Sequence, residues 1–100
     1  MIRKGKVPER VLRDIRKFAE RHDIGRVVLF GSRARGTHAE RSDVDIAVMG
    51  NGDFDGFYWE MNERAHTLLS FDIVELDNGI SDELKAELER EGIVIYEKDG

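Results

Sequence analysis

Hydrophobic spacing switches repeatedly between the helical and the extended period along this 100-residue chain. That alternation restricts it to a sheet layered with helices. Val11, Leu12, Ile15, Phe18, Ala19 and His22 fall on one face at helical spacing, behind Pro8, which suits a first helical turn. A helix is predicted over residues 8–22, with Arg10, Arg13, Asp14, Arg16, Lys17 and Glu20 filling its polar side. Gly25 marks a turn. Arg26-Val27-Val28-Leu29-Phe30 is a nearly continuous apolar run that predicts a strand buried on both faces. It stops at Gly31-Ser32, and a short turn or helix follows around Arg33-Ala34-Arg35. Residues 37–42 read as a polar loop.

Val44, Ile46 and Val48 alternate with Asp43, Asp45 and Ala47, which predicts a second strand. Phe54, Phe57, Tyr58, Met61, Ala65, Leu68 and Leu69 recur at spacings of three and four, a second long helix. Residues 71–76 alternate again as a third strand. Ser81 can cap a last helix that carries Leu84 and Leu88 inward and ends before Gly92. Residues 93–96 form a short fourth strand, and the tail 97–100 is expected to fray. The link between the first two strands is too short for a parallel crossover, so they should pair antiparallel; the third, after a full helix, can run parallel to a neighbour. The fold class expected is α/β (α+β): one domain over residues 1–100, core about 8–96, with a mixed sheet of three to four strands flanked by helices.

Composition narrows the function classes. There is no cysteine, hence no disulfide framework, thiolate zinc site or cysteine nucleophile. No apolar run nears the ~20 residues that span a bilayer. The basic start, residues 1–6, leads into no apolar leader core, so the expected setting is the cytoplasm. The net charge of −5 is uneven: residues 1–50 hold 12 Lys/Arg against 7 Asp/Glu, and residues 51–100 hold 4 against 14. A basic half can face phosphates, while the acidic half repels a long polyanion. A small polyphosphate or a basic protein surface therefore fits better than duplex nucleic acid.

Three features sit at strand ends. Gly31-Ser32-Arg33-Ala34-Arg35-Gly36 offers a glycine that allows close backbone approach and a serine placed as an N-cap. A helix starting there points N–H groups at a phosphate, and Arg33 and Arg35 add cationic donors. Asp43-Val44-Asp45 places two carboxylates on one side of a strand. Held together they call for a cation, and Mg²⁺ takes carboxylates while keeping waters and phosphates. Asp72 stands near the start of the third strand and joins the pair if that strand lies beside the second. Three such carboxylates can hold two metal ions for an in-line phosphoryl displacement, and Asp72 can accept a hydroxyl proton. Other phosphate motifs fail: Thr37-His38 stands where a Walker loop needs Lys-Ser/Thr, and G-x-G-x-x-G is absent. His22, His38 and His66 are isolated, with His38 alone in the loop near the site.

Gly31 to Gly36, Ser42-Asp43-Val44-Asp45-Ile46 and Phe71-Asp72-Ile73-Val74 resemble the minimal nucleotidyltransferase (MNT) domains of the DNA polymerase β superfamily, over about residues 8–96. The resemblance implies the nucleotidyltransferase fold and transfer of a nucleoside monophosphate from ATP or another NTP to a hydroxyl. It implies two Mg²⁺ ions held by Asp43, Asp45 and Asp72, with Asp72 activating the acceptor. Gly31 and Ser32 would hold the triphosphate, with Arg33 and Arg35 also on phosphate. Larger members carry a second domain for the acceptor, for which this chain has no room. Members of this size are often encoded beside a HEPN-domain toxin and act as its antitoxin, in a hetero-oligomer. They do so by adenylylating a tyrosine on it or by contact alone. Trp59, beside the apolar stripe of its helix, suits either an interface or the margin of the core. Protein modification and neutralisation by binding both stand at this level. Small-molecule transfer, as in aminoglycoside nucleotidyltransferases, suits longer chains.

Overall fold

The computed structural model describes residues 7–37, 42–65 and 67–98. His38, His66 and the basic start lie outside the described residues. The elements run α1 (Glu9–Arg21), β1 (Arg26–Phe30), α2 (Gly31–Arg35), β2 (Val44–Met49), α3 (Phe54–Arg64), β3 (Phe71–Glu75), α4 (Asp82–Glu91) and β4 (Ile93–Glu97).

The four strands form one mixed sheet in the order β3-β2-β1-β4. β1 pairs antiparallel with both β2 and β4, and β2 pairs parallel with β3. As anticipated, the short link reverses direction and the link through α3 does not. The reversal puts the end of β1 beside the beginnings of β2 and β3.

The sheet buries both faces of its centre. On one face Val27, Leu29, Val44, Ile46, Val48 and Ile73 pack with α1 and α3 through Val11, Ile15, Phe18, Phe57 and Met61. On the other, Val28, Phe30 and Ala47 pack with Leu84 and Leu88 of α4 and with Val74 and Leu76. Strand β1 is central, so its continuous apolar run is explained by cover on both sides. A close crossing closes the far end of the sheet: a Cβ on Gly50, whose φ is +114°, would overlap the backbone of Gly25.

Several expectations need correction. α3 stops at Arg64 because Ala65 is extended (φ −65°, ψ 142°), so Leu68 and Leu69 leave the helix and Leu68 is fully exposed. Tyr58 is also exposed, whereas Glu60 on the same helix is buried and ion-paired to Arg21 and, at 2.8 Å, to Nε2 of His22. Asp14, placed on the polar side of the first helix, is buried. The tail holds further than expected: Glu97 ends β4, and the Lys98 N–H donates to the Gly25 carbonyl at 2.9 Å. Residues 99–100 lie outside the described residues. Trp59 is 55% exposed, with the Arg64 guanidinium 5.3 Å from its ring centroid, so it is not a core residue.

Candidate active site

The strand register assembles the three sequence features. Phe30 lies opposite Asp45, and Asp45 lies opposite Asp72. Alternation puts Asp45 and Asp72 on the face that carries Ala47 and Val74, the face α4 covers over β1. Asp43 precedes β2 by one residue and is exposed, as is Asp72; Asp45 is half-buried. Thus all three carboxylates gather at the end of the sheet where β1 runs out and β2 and β3 begin.

α2 starts directly from β1 at this point. Gly31 has φ +75°, and a Cβ there would overlap Oδ2 of Asp45. The position therefore needs glycine twice over, for its dihedral and for the carboxylate lying on its backbone. The expected N-cap role of Ser32 is not observed. Phe30 occupies the cap position with no side-chain bond, and Ser32 sits within the first turn of α2. Its carbonyl accepts from the N–H groups of Gly36 and Thr37, at 2.9 and 3.0 Å, which closes this short helix.

The two arginines part company. Arg33 is 2% exposed, and its Nε donates to the Ser42 carbonyl at 3.0 Å. Arg35 is exposed and reaches Glu91 of α4 at 3.1 Å and Glu87 at 3.7 Å. Burial pulls the Arg33 guanidinium below its ordinary value, against the opposing influence of Asp45. The Asp45 carboxyl is pushed above its ordinary value by burial first, then by the charges of Asp72, Asp43 and Glu87, with Arg35 working the other way.

Glu87 is the one member of this electrostatic group that the motifs do not contain. Its signal was the four-residue spacing of Glu83, Glu87 and Glu91, which gives one helix face a row of acids. The crowding of carboxylates around a half-buried Asp45 suits a divalent cation, which would relieve their repulsion. Among the described residues no group of three or more His, Cys, Asp or Glu side chains is set to cage an ion. Mg²⁺ does not require such a cage, because one or two carboxylates with substrate phosphates and water suffice. Two surface clefts of about 430 and 460 Å³ lie at the other end of the sheet, around Asp23, Lys98 and Asp77, and include none of these residues.

Residues 13–100 match the family described as polymerase beta nucleotidyltransferase. The chain belongs to this family. Its α+β architecture, a single small domain with a four-stranded mixed sheet, is that of MNT nucleotidyltransferases. One chain of a toxin–antitoxin crystal structure with AMP-PNP superposes at a TM-score of 0.67 and 25% identity, over 87% of this chain and 73% of that one. A chain of the complex of tri-AMPylated Shewanella oneidensis HEPN toxin with MNT antitoxin shares the fold at 0.60 and 19% identity, over 97% and 74%. A chain of the MntA–HepT toxin–antitoxin complex does so at 0.59 and 22%, over 87% and 70%. A candidate protein adenylyltransferase of Methanocaldococcus jannaschii is 53% identical over 32 residues, and the match spans about a third of its length, 32% of each chain. No helix among the described residues is long and apolar enough to cross a membrane.

Proposed function

We propose that this chain is a Mg²⁺-dependent nucleotidyltransferase that moves AMP from ATP onto a hydroxyl of a protein partner, acting as antitoxin to a HEPN-domain toxin. The observation that carries this is the pairing of Asp45 with Asp72 beside Asp43, over the backbone of Gly31. Family membership supports nucleotidyl transfer, and the relative solved with AMP-PNP supports an adenine nucleotide and a toxin partner. The candidate adenylyltransferase supports a protein acceptor. The HEPN class of the partner follows from the motif resemblance.

Asp43 and Asp45 would hold two Mg²⁺ ions, with Asp72 completing the site. When bound, the ions neutralise the triphosphate and make its α-phosphorus more electrophilic. Gly31 and Ser32 lie against the triphosphate, and Arg35 adds a cationic donor to it. The acceptor hydroxyl oxygen bonds to the α-phosphorus, its proton passes to Asp72, and the bond to the α–β bridging oxygen breaks, releasing pyrophosphate. The chain's contribution is positioning and charge, as in other phosphoryl transfers. Residues 1–100 act as one domain, in the cytoplasm, in a hetero-oligomer with the partner; neither a membrane nor a nucleic acid is required.

The test is twofold. ATP is titrated calorimetrically into the protein with Mg²⁺, beside an Asp43→Asn/Asp45→Asn control. The protein is then incubated with ATP, Mg²⁺ and a purified HEPN-domain protein, and the partner is weighed by mass spectrometry. Binding that needs Mg²⁺ and is lost in the control is expected, with one or more AMP adducts formed by wild type and none by Asp45→Asn. Adducts formed equally by a folded Asp45→Asn variant would overturn the assignment. A partner neutralised equally by wild type and the double variant, with no adduct, would favour neutralisation by contact.

A further inference from the structure

We propose that Arg33 is a positioning residue for the carboxylate pair and not a phosphate ligand. The inference rests on the reading that Asp43 and Asp45 hold a divalent cation. An arginine on a five-residue surface helix ordinarily extends into water. Arg33 instead turns inward, is 2% exposed, and donates from Nε to the Ser42 carbonyl at 3.0 Å. Ser42 is the residue before Asp43. Two residues further on, the Val44 N–H donates to the Ser70 carbonyl at 2.9 Å, just before β3. The strand entrance that carries Asp43 and Asp45 is therefore held from both sides, by α2 through Arg33 and by the approach to β3.

Attraction to Asp45 does not by itself explain this arrangement, because the Nε–H of Arg33 is directed at a backbone carbonyl. Such a bond fixes the path of the chain, and so the direction in which the next carboxylate leaves it. A guanidinium suits this role: it stays charged when desolvated, and its planar fork holds a direction that an ammonium does not. It also links the helix that begins at Gly31 to the residue before Asp43, so that the phosphate-facing backbone and the carboxylates are set by one side chain. Groups that orient metal ligands without touching the metal act in this way.

The experiment is a Mn²⁺ titration without nucleotide, read by loss of the free-ion electron paramagnetic resonance signal. It uses wild type, Arg33→Lys and Asp43→Asn/Asp45→Asn, each checked for folding by circular dichroism. Wild type is expected to bind Mn²⁺ and the double variant not to. Arg33→Lys, which keeps the charge and loses the directed Nε donor, is expected to bind roughly 10-fold more weakly. Wild-type affinity in Arg33→Lys, with binding lost in the double variant, overturns the proposal alone. Equal binding by wild type and the double variant overturns the metal assignment and the proposal with it. If wild type binds only with nucleotide present, the same three proteins are compared by calorimetric titration of ATP in Mg²⁺, with the same outcomes. If Arg33→Lys does not fold, the Arg33 Nε–H resonance of wild type decides. Slow exchange with water both before and after ATP addition supports the role; exposure on ATP addition overturns it.

Discussion

Asp45 concentrates the conflict between stability and the proposed function of this molecule. Its carboxyl is raised by burial and by Asp72, Asp43 and Glu87. A carboxyl with a higher pKa folded than unfolded binds more protons in the folded state. Stability therefore falls as pH rises through the ordinary carboxylate range to the raised value, and stays reduced at neutral pH. Asp45→Asn removes that penalty. In EDTA the variant is expected to unfold at a higher temperature than wild type at neutral pH, with the gap closing as acid protonates the wild-type carboxyl. Thermal unfolding between about pH 3 and 8 checks this. ATP with Mg²⁺ is expected to raise the wild-type midpoint and leave the variant unmoved, because only a ligand that binds the folded state stabilises it. Asp43, Asp45 and Gly31 were legible as residues, since their spacing and neighbours are local. The inward turn of Arg33 was not, because its partner lies nine residues further along the chain.

At the scale of elements, α4 does two things. Ser81 caps it by accepting from the Leu84 N–H at 3.1 Å, as expected of a serine at that place in the sequence. Its acidic face also engages Arg35 through Glu87 and Glu91. Those pairs are partly exposed and contribute about 0.5–1 kcal/mol, which competes with any phosphate for the same guanidinium. Glu87→Gln/Glu91→Gln is therefore expected to tighten ATP binding about two- to fivefold, measured by calorimetry in Mg²⁺. Unchanged or weaker binding would place Arg35 outside the phosphate site. Element boundaries followed the hydrophobic period except where something non-local intervened. The apolar stripe continued past Arg64, yet the chain turns extended at Ala65. Periodicity reports which residues could share a helix face, not where the connection to the next strand must begin.

The described residues form a four-stranded sheet with β1 covered on both sides, and the candidate site occupies one end of it. Phe57 is fully buried under the face that packs on α1 and α3, away from the carboxylates. Phe57→Ala is expected to cost about 3–5 kcal/mol. That is a large part of the roughly 5–15 kcal/mol available to a domain of this kind. Urea unfolding measures it, and nucleotide affinity extrapolated to the fully folded population should be unchanged. A variant that lost affinity while fully folded would mean that the core face and the site face are coupled across the sheet.

The chain's own spacing determined most of its elements, the mixed direction of its strands and the three motifs that mark it as a nucleotidyltransferase. Those depend on periods of two and about 3.6 residues and on neighbours a few positions apart, which a linear sequence displays directly. Only the tertiary structure decided that Asp72 stands opposite Asp45, that Glu87 adds its charge to theirs, and that one arginine of the Gly-Ser motif turns inward while the other meets α4. Strand register brings Asp45 to Asp72, 27 positions on, helix docking brings Arg35 to Glu87, 52 positions on, and Arg33 meets Ser42 nine positions on. Their energies arise from burial and charge between surfaces that meet only after the sheet has formed.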